Sequence, residues 1–366
     1  MGTQVSTSLA VAPARAVTMN DVATLAGVSL KTVSNVINDY PHVREETRRR
    51  VTEAIAALGY RVNTTARNLR RGRTGMIGLA VPELQESYFG ELADAVVQVA
   101  DSRGLSVLIE ATRADAAAEL AMLANERRSM TDGLLFSPLL IDAEQLRAAV
   151  PANPVVLLGE RVFGVGLDHA SLANIDGTRA ATAHLISRGA RRVAAVGSPA
   201  ADDVDHRFRD LAEGDLDRRP ITTTSEQLRI EGYRRALAEA GLPYDPDLLL
   251  PTGPWRRASG AAAVTDAIDR GLDFDGVVGL NDAVALGAPH ALAVRGVDVP
   301  GSVQVIGFDD LDESAYATPA LTTVHQSRLE VAQVAFELLL DRFAVPTREP
   351  RLVVLPFTLV ERDSTR

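Results

Sequence analysis

The chain has 366 residues, 46% of them apolar and 23% charged, with a net charge of −10 and no cysteine. Its length exceeds the roughly 100–200 residues of one ordinary domain and predicts two or three structural units. The apolar content excludes a disordered chain, no apolar run approaches the roughly 18 residues that cross a bilayer, and disulfides, thiolate metal sites and a cysteine nucleophile are excluded.

Residues 1–16 read as a disordered tail, small and uncharged as far as Ala14. They hold neither a basic start nor a sustained apolar region, so no export signal is expected and the protein is placed in the cytoplasm. From Arg15 to Arg73, eleven basic residues face five acids, a surplus of +6 that leaves −16 for the rest. A small basic unit on a large acidic one suggests a nucleic-acid-binding head on a soluble body. Of the 38 basic residues only Lys31 is a lysine.

Thr18-Met19-Asn20-Asp21 is a capping-box variant, followed by Val22, Leu25 and Ala26 at helical spacing. Gly27 stops this helix, and Ser29 caps a second one with Val33, Val36 and Ile37 inside. A third helix runs from about Arg44 to Leu58. Two short helices joined by a glycine turn form a helix-turn-helix, whose second helix enters the major groove. Leu30, Lys31 and Asn35 then reach base edges: Leu a thymine methyl, Lys guanine O6/N7, Asn an adenine. Thr18, Ser29, Thr32, Ser34 and Asn38 suit phosphates, and His42 is either a further phosphate contact or an exposed loop histidine.

The run Thr18-Met19-Asn20-Asp21-Val22-Ala23, Ala26-Gly27-Val28-Ser29 and Thr32-Val33-Ser34-Asn35-Val36-Ile37-Asn38 resembles the headpiece of the lactose-repressor (LacI) family of bacterial transcription regulators. Several members carry Arg or His where Asn35 stands, so the operator sequence does not carry over. The stretch Asn63 to Arg73 is too short for a stable isolated helix. It resembles the family's hinge helix, which orders when two copies meet in the minor groove. In that picture Asn63 is the N-cap, Ala66 lets the partner helix approach, and Leu69 is the wedge at the central base step.

From Met76 the pattern changes. Buried strands are expected at Met76–Val81, Leu105–Ile109, Gly133–Phe136, Val155–Leu158, Arg192–Val196, Gly276–Leu280 and Val303–Gly307. Helices are expected between them at Phe89–Arg103, Ala116–Ser129, Thr178–Arg188, Gln227–Ala240, Arg257–Arg270 and Ala283–Arg295. Such alternation predicts doubly wound parallel sheets, in two halves flanking a cleft. The resemblance implies the same: an all-α helix-turn-helix headpiece (17–61), a hinge helix and linker (62–74), and an α/β periplasmic-binding-protein-like core (75–366). In that core an N-subdomain takes about 75–173 and 326–346, and a C-subdomain about 177–323 and 350–360. The acid-rich stretch Ser198 to Ser225 is longer than the family's usual one and reads as a solvated insertion.

No dinucleotide fingerprint completes Gly164-Val165-Gly166, and phosphate-loop, zinc-helix and nucleophile-elbow patterns are absent from the sequence. No enzyme, catalytic residue, metal or cofactor is therefore expected. Open parallel sheets bind ligands beyond their strand ends. Tyr88 and Phe89 follow the first strand there, Asn281 follows Gly276–Leu280, and Asp309 follows Val303–Gly307. Arg229-Ile230-Glu231-Gly232-Tyr233 matches the family's Arg-x-x-Gly-aromatic signature, and Trp255 stands where the family places an aromatic platform. These six residues are the expected effector site: Trp255 covers an apolar sugar face, Arg229, Asp309 and Asn281 meet hydroxyls, and Tyr88 and Phe89 close the far side.

A DNA-binding regulator, a repressor controlled by a small molecule, is thus expected. Its effector would be a sugar or sugar derivative, with a nucleobase-like compound second. Two-fold operators call for a homodimer, and the ending at Arg366 shows no tetramerising leucine heptads. A transport solute-binding protein shares the core fold but would lack the headpiece.

Overall fold

The computed structural model describes residues 17–37, 40–60, 73–124, 130–149, 153–205, 207, 209, 212–218 and 221–366. The chain divides into two compact units, Met1–Arg73 and Thr74–Arg366. The expected tail, the hinge helix over 62–72, and the site residues Asn38, Asn63, Ala66 and Leu69 lie outside the described residues.

Among the described residues of the first unit three helices form, α1 (Met19–Ala26), α2 (Leu30–Ile37) and α3 (Glu45–Leu58). The Thr18 hydroxyl accepts from the Asp21 amide, and the Asp21 carboxylate accepts from the Thr18 amide at 2.8 Å, so two otherwise orphaned amides at the start of α1 are satisfied. Gly27 ends α1 at a φ of 62°, a conformation open to glycine. A side chain there would also meet the Arg50 guanidinium, which reaches back from α3 to the carbonyls of Ala26 and Gly27. Arg50 is therefore committed to the turn. Val22, Ala26, Val33, Val36, Val51 and Ala54 close a small core.

The second unit holds two six-stranded sheets. Its first half contains β1 (Met76–Val81), α4 (Ser87–Ser102), β2 (Ser106–Ala111), α5 (Ala116–Leu123), β3 (Gly133–Phe136), α6 (Ala143–Ala148), β4 (Val155–Leu158), β5 (Val162–Phe163) and β6 (Asp168–Ser171). The second half contains α7 (Asn174–Ser187), β7 (Val193–Ser198), β8 (Ile221–Thr222), α8 (Ser225–Glu239), β9 (Leu249–Pro251), α9 (Arg257–Asp269), β10 (Gly276–Gly279), α10 (Asp282–Val294), β11 (Gln304–Asp309), α11 (Asp312–Tyr316) and β12 (Thr322–His325). The chain returns to the first half as α12 (Arg328–Ala344) and β13 (Leu352–Val354), and ends in the second as β14 (Thr358–Val360). Strand orders are β13-β6-β4-β3-β1-β2 and β14-β12-β11-β10-β7-β9, with only β14 antiparallel to its neighbour.

Alternation along each strand explains the burial. Ile77, Leu79, Leu135, Val156 and Leu158 face α4 and α12, while Ala80, Leu134, Phe136, Val155 and Leu157 face α5 and α6. In the second sheet Val193, Ala195, Val278 and Ile306 meet α7 and α8; Ala194, Val196, Val277 and Val305 meet α9 and α10. Sheets buried on both faces read as continuous apolar runs, which is why these strands were visible in the sequence. Among the described residues no helix is long and apolar enough to cross a membrane.

Three expectations are corrected. The segment 350–360 does not lie wholly in the second half: Leu352–Val354 pairs in parallel with β6, and Val353 packs on the first half's core. The helix expected over Ala116–Ser129 stops at Leu123, and 125–129 lie outside the described residues. The insertion is not solvated throughout. Glu213 is buried and accepts from the Ile175 amide at the start of α7, while Leu216 packs with Phe163, Ile175, Ile221 and Leu228 where the chain passes between the halves.

Gly232 of α8 lies against the backbone of α7, and a Cβ there would run into the Ile175 carbonyl and the Arg179 amide. Gly232→Ala should lower stability by about 1–3 kcal/mol through overpacking, although alanine is the better helix former. An unchanged urea midpoint would contradict this packing.

Candidate functional site

In the first unit, Leu30 and Lys31 stand exposed at the start of α2, with Thr32, Ser34 and Asn35 half-buried behind them. The Ser29 hydroxyl caps α2 by accepting from the Thr32 amide at 3.1 Å, so Ser29 and Thr18 both hold helix starts. His42 is exposed, its ring edge-on to Tyr40 at 5.7 Å. An exposed lysine and leucine at the N-terminus of the second helix can meet the floor of a groove, while the capping hydroxyls fix the orientation of that helix.

In the second unit a cavity of about 710 Å³ lies between the halves, beyond the carboxyl ends of both sheets. All six residues expected there, Tyr88, Phe89, Arg229, Trp255, Asn281 and Asp309, line it. Tyr88 and Phe89 occupy the first turn of α4 with ring centroids 5.3 Å apart, edge to face, and also pack on the first half's core. Asn281 caps α10: its side-chain oxygen accepts from the Val284 amide at 2.9 Å. Its amide nitrogen makes no hydrogen bond among the described residues and faces a ligand-sized space.

Arg229 organises the second half's wall. It is 3% exposed. Its Nε donates to Asn174 Oδ1 at 2.7 Å, one terminal nitrogen to the Leu280 carbonyl, and the other approaches Asp309 Oδ1 at 3.5 Å. The guanidinium lies 3.7 Å from the Phe308 ring centroid and 5.2 Å from that of Trp255. Trp255 is fixed in turn by its indole N–H, which donates to the Gly197 carbonyl at 3.0 Å. Gly197 has φ 91°, and a Cβ there would crowd the same nitrogen.

Asp309 ends β11 with φ 117°, in a region that a residue with a side chain enters only under constraint. The constraint is visible: Arg328 donates to the backbone carbonyls of Asp309 and Asp310 while gripping Glu91. Burial pushes the Asp309 carboxyl up to about 8, against the pull of Arg229. Asp282, beside Asn281, is buried and structural: it accepts from the Leu311 amide, Ser314 and Thr323, tying α10 to the segment after β11 and to β12.

Other groups at the cavity were not foreseen. Glu86, in the loop just before Tyr88, has its carboxyl pushed up to about 7 by burial and by Glu83. Glu160 accepts from Ser225 at 2.8 Å, and Arg161 donates to the carbonyls of Leu140, Ile141 and Thr223. Ion pairs close the rim: Glu83 meets Arg256 at 2.7 Å, and Glu313 joins Ser87 to Arg257. The Glu83–Arg256 pair and the Ser87–Glu313 hydrogen bond link the first half to the second. The strand-end rule that pointed to Asn281 and Asp309 covers Glu86 and Glu160 equally well.

Residues 18–63 match the family described as bacterial regulatory proteins, lacI family, and residues 182–365 match the periplasmic binding protein-like domain. The chain is 35% identical over 350 residues to the HTH-type transcriptional regulator GalR of Salmonella typhimurium, covering 95% of each chain. It is 31% identical to the ribose operon repressor of Escherichia coli, covering 95% of this chain and 99% of that one. A crystal structure of the lac repressor dimer bound to operator and the anti-inducer ONPF superposes with a TM-score of 0.78 at 28% identity, over 96% of this chain and 99% of that one.

The raised carboxyls make stability depend on pH. Folded Asp309 and Glu86 hold protons that the unfolded chain, with carboxyls near 4, has already released. Stability should therefore fall as pH rises through the window from about 4 to about 8. Asp309→Asn should flatten that slope by up to about 1.4 kcal/mol per pH unit. Parallel wild-type and variant denaturation curves across that range would refute the assignment.

Proposed function

The chain belongs to the lactose-repressor (LacI) family of bacterial transcription regulators, and from that membership we propose a repressor that binds a pseudo-palindromic operator as a homodimer and is switched by a sugar or sugar derivative in the cleft. It acts by binding, not catalysis, and its DNA target places it in the cytoplasm. The observation that carries this reading is the pairing, in one chain, of a helix-turn-helix with a two-halved core whose strand ends enclose a ligand-sized cavity.

Two headpieces in a two-fold dimer read two half-sites, so operator symmetry mirrors protein symmetry. Leu30, Lys31 and Asn35 read bases in this scheme. Thr18, Ser29, Thr32, Ser34, Asn38 and His42 hold phosphates, and the hinge residues Asn63, Ala66 and Leu69 work in the minor groove. In the cleft, Asp309 accepts from ligand hydroxyls, the Asn281 amide nitrogen donates, and Trp255 and Phe89 bracket apolar ring faces. Arg229 serves more as the support of Asp309 and Trp255 than as a free donor, because its nitrogens are engaged within the protein.

Lys31→Ala should relax specificity at one base position and cost roughly 1–3 kcal/mol per half-site. An unchanged base preference in a randomised-operator selection would overturn the assigned reading helix. In the cleft, Asp309→Asn should weaken effector binding by about 1–3 kcal/mol and leave ligand-free operator binding intact. Calorimetry showing wild-type effector affinity would remove Asp309 from the ligand site. Arg229→Ala is the poorer test, because it strands a buried carboxyl and threatens the fold.

A further inference from the structure

Two features of the cleft bear on what it admits. The first is extent. Its lining draws on the ends of β6, β4, β3, β1 and β2, through Leu172, Glu160, Ser137, Glu86 and Ala114. Those strands are successive neighbours, so the cavity runs across four strand spacings, about 19 Å at roughly 4.8 Å each. One pyranose ring is about as wide as a single spacing. The rim is bridged by Glu83–Arg256 and by the Ser87–Glu313 hydrogen bond but stays partly open, and the 710 Å³ lies in the range that buries a ligand of more than one ring.

The second is charge. Six carboxyls and four guanidiniums line the cavity among the described residues. Three guanidiniums are matched, Arg229 with Asp309, Arg256 with Glu83 and Arg257 with Glu313. Glu86, Glu160 and Glu226 remain against Arg161, whose hydrogen bonds all go to backbone carbonyls. The Glu86 backbone carbonyl accepts from the Phe89 and Gly90 amides, but its carboxyl makes no hydrogen bond or ion pair among the described residues. Above the pH of about 7 to which burial and Glu83 push it, the ionised carboxyl accepts from hydroxyls and repels anions, and a half-buried setting strengthens the repulsion.

Resting on the sugar reading above, we propose that the effector is an uncharged glycoside of at least two rings, with Glu86 as the residue that receives hydroxyls of the second ring and rejects phosphorylated or acidic sugars. The first ring occupies the end walled by Trp255, Asn281 and Asp309. The second lies along the first sheet's strand ends toward Glu160.

Calorimetry on the whole chain at a pH above 8, where Glu86 is ionised, tests this with neutral disaccharides, their constituent monosaccharides and the 6-phosphates of each. The proposal expects at least one disaccharide to bind tenfold or more tightly than either of its monosaccharides, and its phosphate tenfold or more weakly. Glu86→Gln should narrow the neutral-to-phosphate gap at least threefold, with a melting temperature no lower than the wild type's showing that the variant is folded. A monosaccharide that binds as tightly as every disaccharide overturns the two-ring cleft while leaving the sugar reading intact. A phosphate that binds as well as its neutral parent, or a gap unmoved in Glu86→Gln, overturns the role of Glu86. If no sugar of any size binds, this proposal and the sugar reading fall together.

Discussion

A guanidinium buried to 3% exposure has to place every donor, and Arg229 does so by joining four separate parts of the chain. It stands on α8, bonds to Asn174 at the first residue past a crossover, to the carbonyl that ends β10, and to the carboxyl that ends β11. Phe308 and Trp255 complete the enclosure with their ring faces. Removing one partner of such a cluster leaves an uncompensated buried charge, at a cost of about 3–5 kcal/mol. The ligand wall of the second half is thus positioned by one side chain. Gly232, one turn along the same helix, allows that side chain's helix to sit directly on α7.

Rigid walls do not make a rigid cleft. The two sheets meet through the crossovers after β6, β12 and β13, through the short β5–β8 pairing, and at the rim through the Glu83–Arg256 ion pair and the Ser87–Glu313 hydrogen bond. The Glu83–Arg256 pair is about one-third to one-half exposed and so contributes no more than about 1 kcal/mol. Closure held by contacts of that size can be tipped by a ligand bridging the halves. The shift equals the ligand's differential affinity for the two arrangements, typically about 1–3 kcal/mol. Glu213 and Leu216 of the insertion pack at the first crossover, where they bear on the same motion.

Legibility in the sequence followed the chemistry of burial. Strands made of apolar runs were plain, and so was the headpiece, whose caps and glycine turn are local signals. Strands β6 and β12 were not plain, because they bury polar residues. Asp168 is matched by Arg342 and Arg348 from beyond α12's start, and Thr322 and Thr323 bond to Ser364, Thr365 and Asp282. No periodicity announces partners that lie from about 40 to 180 residues away. Helix α12 had no such excuse: Val331, Ala335, Leu338 and Leu339 repeat at helical spacing. At the site, strand-end position brought Tyr88, Phe89, Asn281 and Asp309 to one cavity and the family resemblance added Arg229 and Trp255, whereas Glu86 and Glu160 look in the sequence like any loop acid. Arg50 counted toward the basic surplus, yet its guanidinium serves the α1 turn.

If one ligand in the cleft governs DNA binding, the two affinities are linked and the linkage is reciprocal. The most direct test measures operator affinity of the whole protein by fluorescence anisotropy, with and without a saturating sugar that binds the chain. Sugar affinity is then measured by calorimetry with and without operator. The account predicts that both ratios depart from one, by about 5–150-fold, and agree with each other. Ratios of one in both experiments, with both ligands bound, would show a cleft and a headpiece that share a chain without sharing a function.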